Sequence, residues 1–197
     1  MKSPYENKNS SEWLDITKRL LENFPLSKDY LVSLVLKSWD SILKTKIAEK
    51  WSIAHDVQPK PQIMGFFLHE IIGQYIQADY SDSWRKEKTA NDKDVVCITN
   101  PDYSLEIKTS SDKNKIFGNR SYAQEVKSGG KKSKSGYYLA INFEKFEETS
   151  DLPEIRLIRF GWLDHTDWIG QSSASGQQAR LPNEVENGKL IVIYKKD

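Results

Sequence analysis

Apolar residues recur at helical spacing in the first part of the chain, and the period then shortens to that of strands. Trp13, Ile16, Leu20 and Leu21 share one face of a helix over residues 11–23, which Ser11 can cap and Pro25 ends. Ser27 can cap a second helix over 27–49, with Leu31, Leu34, Val35, Trp39, Ile42, Leu43 and Ile47 in register. A linker with Pro59 and Pro61 follows, then a third helix over 62–78. Its apolar positions, Ile63, Phe66, Phe67, Ile71, Tyr75 and Ile76, leave Glu70 and Gln74 stacked on one side. Beyond it, residues 84–89, 94–99, 103–109, 137–143, 155–162 and 190–194 alternate as strands. Helices followed by a hairpin-rich sheet predict an α+β or mixed α/β fold. The expected division is a helical subdomain over 1–55 and a core over 56–197, in one compact unit.

Composition adds limits to this picture. With 38% hydrophobic and 29% charged residues, the chain of 197 can fill a core and solvate its surface, which excludes global disorder. No apolar run reaches the roughly 18–20 residues of a membrane span, and MKSPYENKNSSEW lacks the apolar stretch of a signal peptide. Cys97 is the one cysteine, set in VVCIT, so it forms neither an intrachain disulfide nor a cysteine zinc cluster. A reducing cytoplasm is the expected setting. Net charge is only +1, but residues 108–134 carry a local +6 and the remainder −5. That asymmetry suits a protein that grips phosphate with one face; a solvated lysine-rich loop is the plainer alternative.

The chemistry concentrates in DKDVVCITNPDYSLEIKTSS. Two short strands, 95–99 and 104–109, flank the turn Asn100-Pro101-Asp102. Glu106 and Lys108 lie two apart and share a sheet face, while Leu105 and Ile107 point into a core. An exposed Glu–Lys pair is common by itself. With a second acid the set gains a use: carboxylates chelate Mg²⁺, which lowers the pKa of a bound water, and a lysine positions that water or balances the charge on the phosphoryl group. Asp102 sits in the turn, about 13 Å along the strand from Glu106 at roughly 3.3 Å per residue. A turn centred on Pro101 instead sets residue 94 opposite 108 and 96 opposite 106. Asp94 is then beside Lys108 and diagonal to Glu106, about 7–8 Å between backbones. Asp94 is the preferred acid, with Asp92 behind it. Glu70 is either a further acid on the preceding helix or part of its wet face.

Asp94, eleven residues, then Glu106-Ile107-Lys108, behind a helix bearing Glu70, resembles the PD-(D/E)XK nuclease superfamily. A wider pattern is more specific: Trp13…Pro25-Leu26…Trp39, then EIKTSS, FGNRSYAQ and GQQARL. Together these resemble the small type II restriction endonuclease family named for ScaI, over nearly the whole chain. The resemblance implies a nuclease-like core, with a central mixed sheet flanked by helices. It also implies a homodimer that cuts both strands of a short palindromic duplex with Mg²⁺, beside a cognate DNA methyltransferase. Asp94 and Glu106 would be metal ligands, the Ile107 carbonyl an extra ligand and Lys108 the catalytic lysine. The literal Pro101-Asp102 is a departure that leaves the choice between Asp92, Asp94 and Asp102 open.

Candidate DNA contacts surround this hairpin. Ser110, Ser111, Lys113, Lys115, Asn119, Arg120 and Ser121 follow the catalytic strand, and hydroxyls and lysines bind phosphate. Lys131, Lys132 and Lys134 lie in a Gly-rich basic loop that reads as a phosphate clamp. Gln177, Gln178 and Arg180 are candidates for base readout, since Gln reads adenine and Arg guanine bidentately. His55, His69 and His165 form no metal-spaced cluster, and His165 reads as part of a capped turn. A structure-selective repair nuclease, or a DNA-binding protein without turnover, are the competing functions. The complete Asp94, Glu106 and Lys108 set speaks against the latter.

Overall fold

The computed structural model describes residues 2–123, 133–172 and 176–196. Helix α1 (Ser10–Glu22) begins after Asn9, whose N–H is bound by the Glu12 carboxylate at 3.0 Å. Helix α2 (Lys28–Leu43) is capped by Ser27, whose hydroxyl accepts from the Tyr30 N–H. It stops six residues short of the expected end. Ile47 continues the apolar spacing but lies exposed, because the chain turns into a hairpin of β1 (Lys46–Ile47) and β2 (Trp51–Ser52). Ala48 and Glu49 adopt positive φ there, which a helix excludes.

Helix α3 (Pro61–Asp79) starts with proline at its first turn. Its buried face is Met64, Gly65, Leu68, Ile72, Gly73 and Ile76, whereas Ile63 and Phe66 stay exposed. The helix is apolar on most sides, so spacing finds Ile76 and the half-buried Phe67, Ile71 and Tyr75 but misses Met64, Leu68 and Ile72 of the buried stripe. The glycines decide it: a Cβ at Gly65 would lie 2.7 Å from Thr109 Oγ1. The helix therefore docks tightly on the strand that carries Lys108.

Strands β3 (Trp84–Lys86), β4 (Val95–Cys97), β5 (Leu105–Ser110), β6 (Phe117–Asn119), β7 (Gly136–Phe143), β8 (Ile155–Leu163), β9 (Ile169–Gly170), β10 (Gln178–Arg180) and β11 (Leu190–Lys195) follow, with the short α4 (Asn183–Gly188) before the last. The main sheet runs β11-β8-β7-β5-β4-β3, with β5 and β7 parallel and the other pairs antiparallel. A mixed central sheet flanked by helices is thus the architecture. One face packs Ile107, Leu139, Ile141 and Phe160 against Leu31, Val35 and Trp39 of α2 and Leu68 and Ile72 of α3. The other face carries Glu106, Tyr138 and Gly161 in one row and Lys108, Ala140 and Arg159 in the next. A second apolar cluster, including Tyr122, Tyr138, Trp168 and Ala179, covers part of that face. It supports a smaller sheet of order β6-β10-β9, none of whose strands the sequence pattern predicts.

Candidate active site

The hairpin that carries the acids is built differently from its simplest reading. Residues Pro101–Tyr103 form a 3₁₀ turn, and β4 pairs with β5 only at Val95–Leu105. The Cys97 N–H turns to the Ser104 hydroxyl at 3.2 Å instead of to a ladder carbonyl. The register is therefore two residues from the expected one, and Asp94 comes opposite Glu106 rather than Lys108. A shift of two keeps every side chain on its expected face. Past this point β5 has no β4 partner, and Asp94 Oδ2 takes the place of one by accepting the Ile107 N–H at 2.7 Å. The N–H and C=O of one strand residue point the same way, so the Ile107 carbonyl also faces the Asp94 side.

Glu106 is 1% exposed and surrounded by donors. Lys108 Nζ lies 3.0 Å from Oε1, the Tyr122 hydroxyl donates to the same oxygen, and Lys93 Nζ is 3.9 Å from Oε2. Burial, and then the Glu106 charge, push the Tyr122 phenol far above its ordinary value, so it stays a donor. His69 Nε2 lies 3.2 Å from Asp94 Oδ2, and its Nδ1 3.3 Å from Glu70 Oε1. Burial lowers the His69 pKa, but the bonds and charges of Asp94 and Glu70 outweigh it and leave the ring above its usual range. Glu70 also pairs with Lys86, which holds its carboxyl below the ordinary value. Glu70 thus reaches Asp94 through His69.

The other aspartates are placed elsewhere. Asp92 binds Arg85 at 2.9 and 3.2 Å and accepts the Lys88 and Thr89 N–H groups, which keep it well below the carboxylate range. Asp102 is exposed in the 3₁₀ turn, its N–H on Asn100 Oδ1. Sequence reading passed over His69, Lys93 and Tyr122 as neighbours of the two acids: Lys93 precedes Asp94 directly, but no spacing turns it to Glu106, and only the fold brings His69 and Tyr122 to the hairpin.

Asn119, Gln178, Arg180 and Phe117 share one exposed face of the small sheet, because Gln178 pairs with Asn119 and Arg180 with Phe117. The Arg120 N–H donates to the Gln177 carbonyl at 2.7 Å, and its guanidinium to that of Gly176. A cleft of about 400 Å³, lined by Gln62, Ser110, Ser111, Phe117 and Gln178, joins this face to the end of β5. Lys113 and Ser121 are exposed, whereas Lys115 turns to Asn183 and Glu186. Lys134 lies over the Tyr122 ring at 4.2 Å. Lys131 and Lys132 lie outside the described residues. His165 sits in a 3₁₀ turn whose capping acid is Asp167.

The model of the ScaI restriction endonuclease family matches residues 3–194. The chain belongs to that family. It is 46% identical over 193 residues to the type II restriction enzyme ScaI of Streptomyces caespitosus, a match covering 98% of this chain and 85% of its relative. No solved structure matches it. A ScaI-family chain is a site-specific restriction endonuclease of type II, so DNA is its partner. Among the described residues, no helix is long and apolar enough to cross a membrane, and no three His, Cys, Asp or Glu side chains stand as a ready metal cluster. The donors at the hairpin nevertheless suit a hard cation: two carboxylates and a strand carbonyl, all oxygen. Two lysine ammoniums already approach Glu106 within 4 Å, so positive charge is what this carboxylate is arranged to meet.

Proposed function

We propose that the protein makes Mg²⁺-dependent double-strand cuts at a short palindromic DNA sequence, acting as a homodimer. Asp94, Glu106 and the Ile107 carbonyl would hold the metal, whose chemistry when bound is to polarise the scissile phosphate and acidify a water. The observation that carries this reading is the Asp94–Ile107 bond at 2.7 Å, which anchors the first acid opposite Glu106. Lys108, two residues along the same face, stabilises charge on the phosphoryl group or orients the attacking water. His69 and Glu70 hold the Asp94 carboxylate. Ser110, Ser111, Lys113, Arg120, Ser121 and Lys134 would grip phosphate, while Asn119, Gln177, Gln178 and Arg180 read bases. Lys115 anchors its loop to Glu186.

One active site per chain cuts one strand, so a palindrome calls for a two-fold pair. The free Cys97 thiol fits a reducing cytoplasm, and the restriction activity fits a methyltransferase that protects the same sequence. The test is digestion of DNA of known sequence with Mg²⁺, with the ends mapped. Discrete sites lost in Lys108→Ala, with duplex binding retained, are expected. Undiminished cutting by that variant would remove Lys108 from the chemistry.

A further inference from the structure

Tyr122 touches both the cutting strand and the small sheet. Its hydroxyl donates to Glu106 Oε1, and Lys108 Nζ lies 4.6 Å from its ring centroid. Its backbone belongs to the 3₁₀ turn Arg120–Ala123, which continues directly from β6. The ring is wedged in place. It meets Trp168 edge-on at 5.1 Å, and a Cβ at Gly118, inside β6, would lie 3.0 Å from Tyr122 Cγ. Any shift of β6 relative to β5 therefore carries the Tyr122 hydroxyl with it.

We propose that Tyr122 is a positioning residue: it fixes the orientation of Glu106 and the hover of Lys108, and ties both to the β6–β10 face. This rests on the reading of Glu106 and Lys108 given above. A glutamate carboxylate rotates broadly about its last bond, so a donor held by packing decides which oxygen meets Tyr122 and Lys108 and which is left on the Lys93 side. Outer hydrogen bonds of this kind tune ligand orientation and affinity. The π-face of the ring attracts the Lys108 ammonium and narrows the volume it samples. Seating of DNA on Asn119, Gln178 and Arg180 loads the same β-ladder that holds the ring. Sequence reading and assembly of the cutting site thus share one mechanical link.

Tyr122→Phe keeps the ring and deletes the hydroxyl. Ca²⁺ binding to the protein bound to a duplex carrying the mapped cut site, followed by calorimetry, should weaken about 10–100-fold. Single-turnover cleavage should slow by a similar factor at limiting Mg²⁺ and recover in part as Mg²⁺ is raised. Metal-free affinity for the duplex and the melting temperature should stay at wild-type values. Unchanged Ca²⁺ affinity and rate would overturn the proposal, as would a parallel fall in duplex affinity and melting temperature, which marks a merely structural ring. Glu106→Gln and Lys108→Ala separate the two levels. If both cut like wild type, the reading of the site itself fails; if both are inactive while Tyr122→Phe cuts normally, only the role of Tyr122 fails.

Discussion

His69 stands between two carboxylates, Asp94 and Glu70, and its raised pKa follows from them. A group whose pKa is raised on folding contributes stability that is full below its unfolded value and is lost as pH rises through its folded value. In metal-free protein, the stability difference between wild type and His69→Gln should therefore shrink as pH climbs past the ordinary imidazole range. Denaturant midpoints measured across that range give the curve. A divalent ion at Asp94 competes with the imidazolium charge, so Mg²⁺ should lower the His69 pKa followed by NMR; no movement would place the ion elsewhere. At this scale the sequence was half legible. Spacing puts Glu106 and Lys108 on one sheet face, as the structure has them, and turn chemistry puts Asp102 in the turn. Lys93 and Tyr122 lie in segments the sequence singles out, and His69 beside Glu70, but their contacts with the two acids follow only from what the fold sets opposite them.

Between elements, register and close approach decide what side chains can do. Gly161 sits in the same row as Glu106 and Tyr138, and a Cβ there would lie 1.8 Å from the Lys189 carbonyl oxygen. Backbone cannot rotate away as a side chain can. Gly161→Ala should cost about 1–3 kcal/mol or more, read as a lowered denaturant midpoint; an unchanged midpoint would mean that β11 yields. On the small sheet, Arg180→Ala should cost about 1–3 kcal/mol of binding to the cut site while affinity for unrelated duplex holds. An equal loss on every sequence would make Arg180 a phosphate contact. The long strands of the main sheet were readable as apolar, β-prone runs of strand length. The small sheet was not, because strands of two or three residues offer too few positions for a period to register. Nor was the buried stripe of α3, where apolar residues on most sides hide the one that Gly65 and Gly73 select.

Across the whole molecule, the amino-terminal helices lend their apolar faces to the sheet. Ile16, Leu31, Val35 and Trp39 belong to the same core cluster as Leu139, Ile141 and Phe160, and the Trp39 indole donates to the Pro153 carbonyl at 2.6 Å. Melting should therefore be one cooperative transition, with circular dichroism and tryptophan fluorescence coinciding. Removing residues 1–55 should leave an aggregating chain, because it bares the part of the sheet face that α2 covers and leaves only α3 packed there. Two separate transitions would instead mark the helices as an independent unit. The fold class was visible from the switch of period along the chain. One compact unit was expected, but not which residues meet in it, since periodicity says which face is apolar and nothing about what packs on it.

Asp94 stands in for a missing strand: its carboxylate occupies a hydrogen-bonding position that β4 vacates when it leaves β5. Protein engineers who want an inert form that still recognises its site should heed that double duty. Alanine at 94 would remove the acid and orphan an amide in the middle of the sheet. Asparagine keeps a carbonyl for Ile107 while discarding the charge, which makes Asp94→Asn the cleaner starting point for a programmed roadblock or a sequence-specific label.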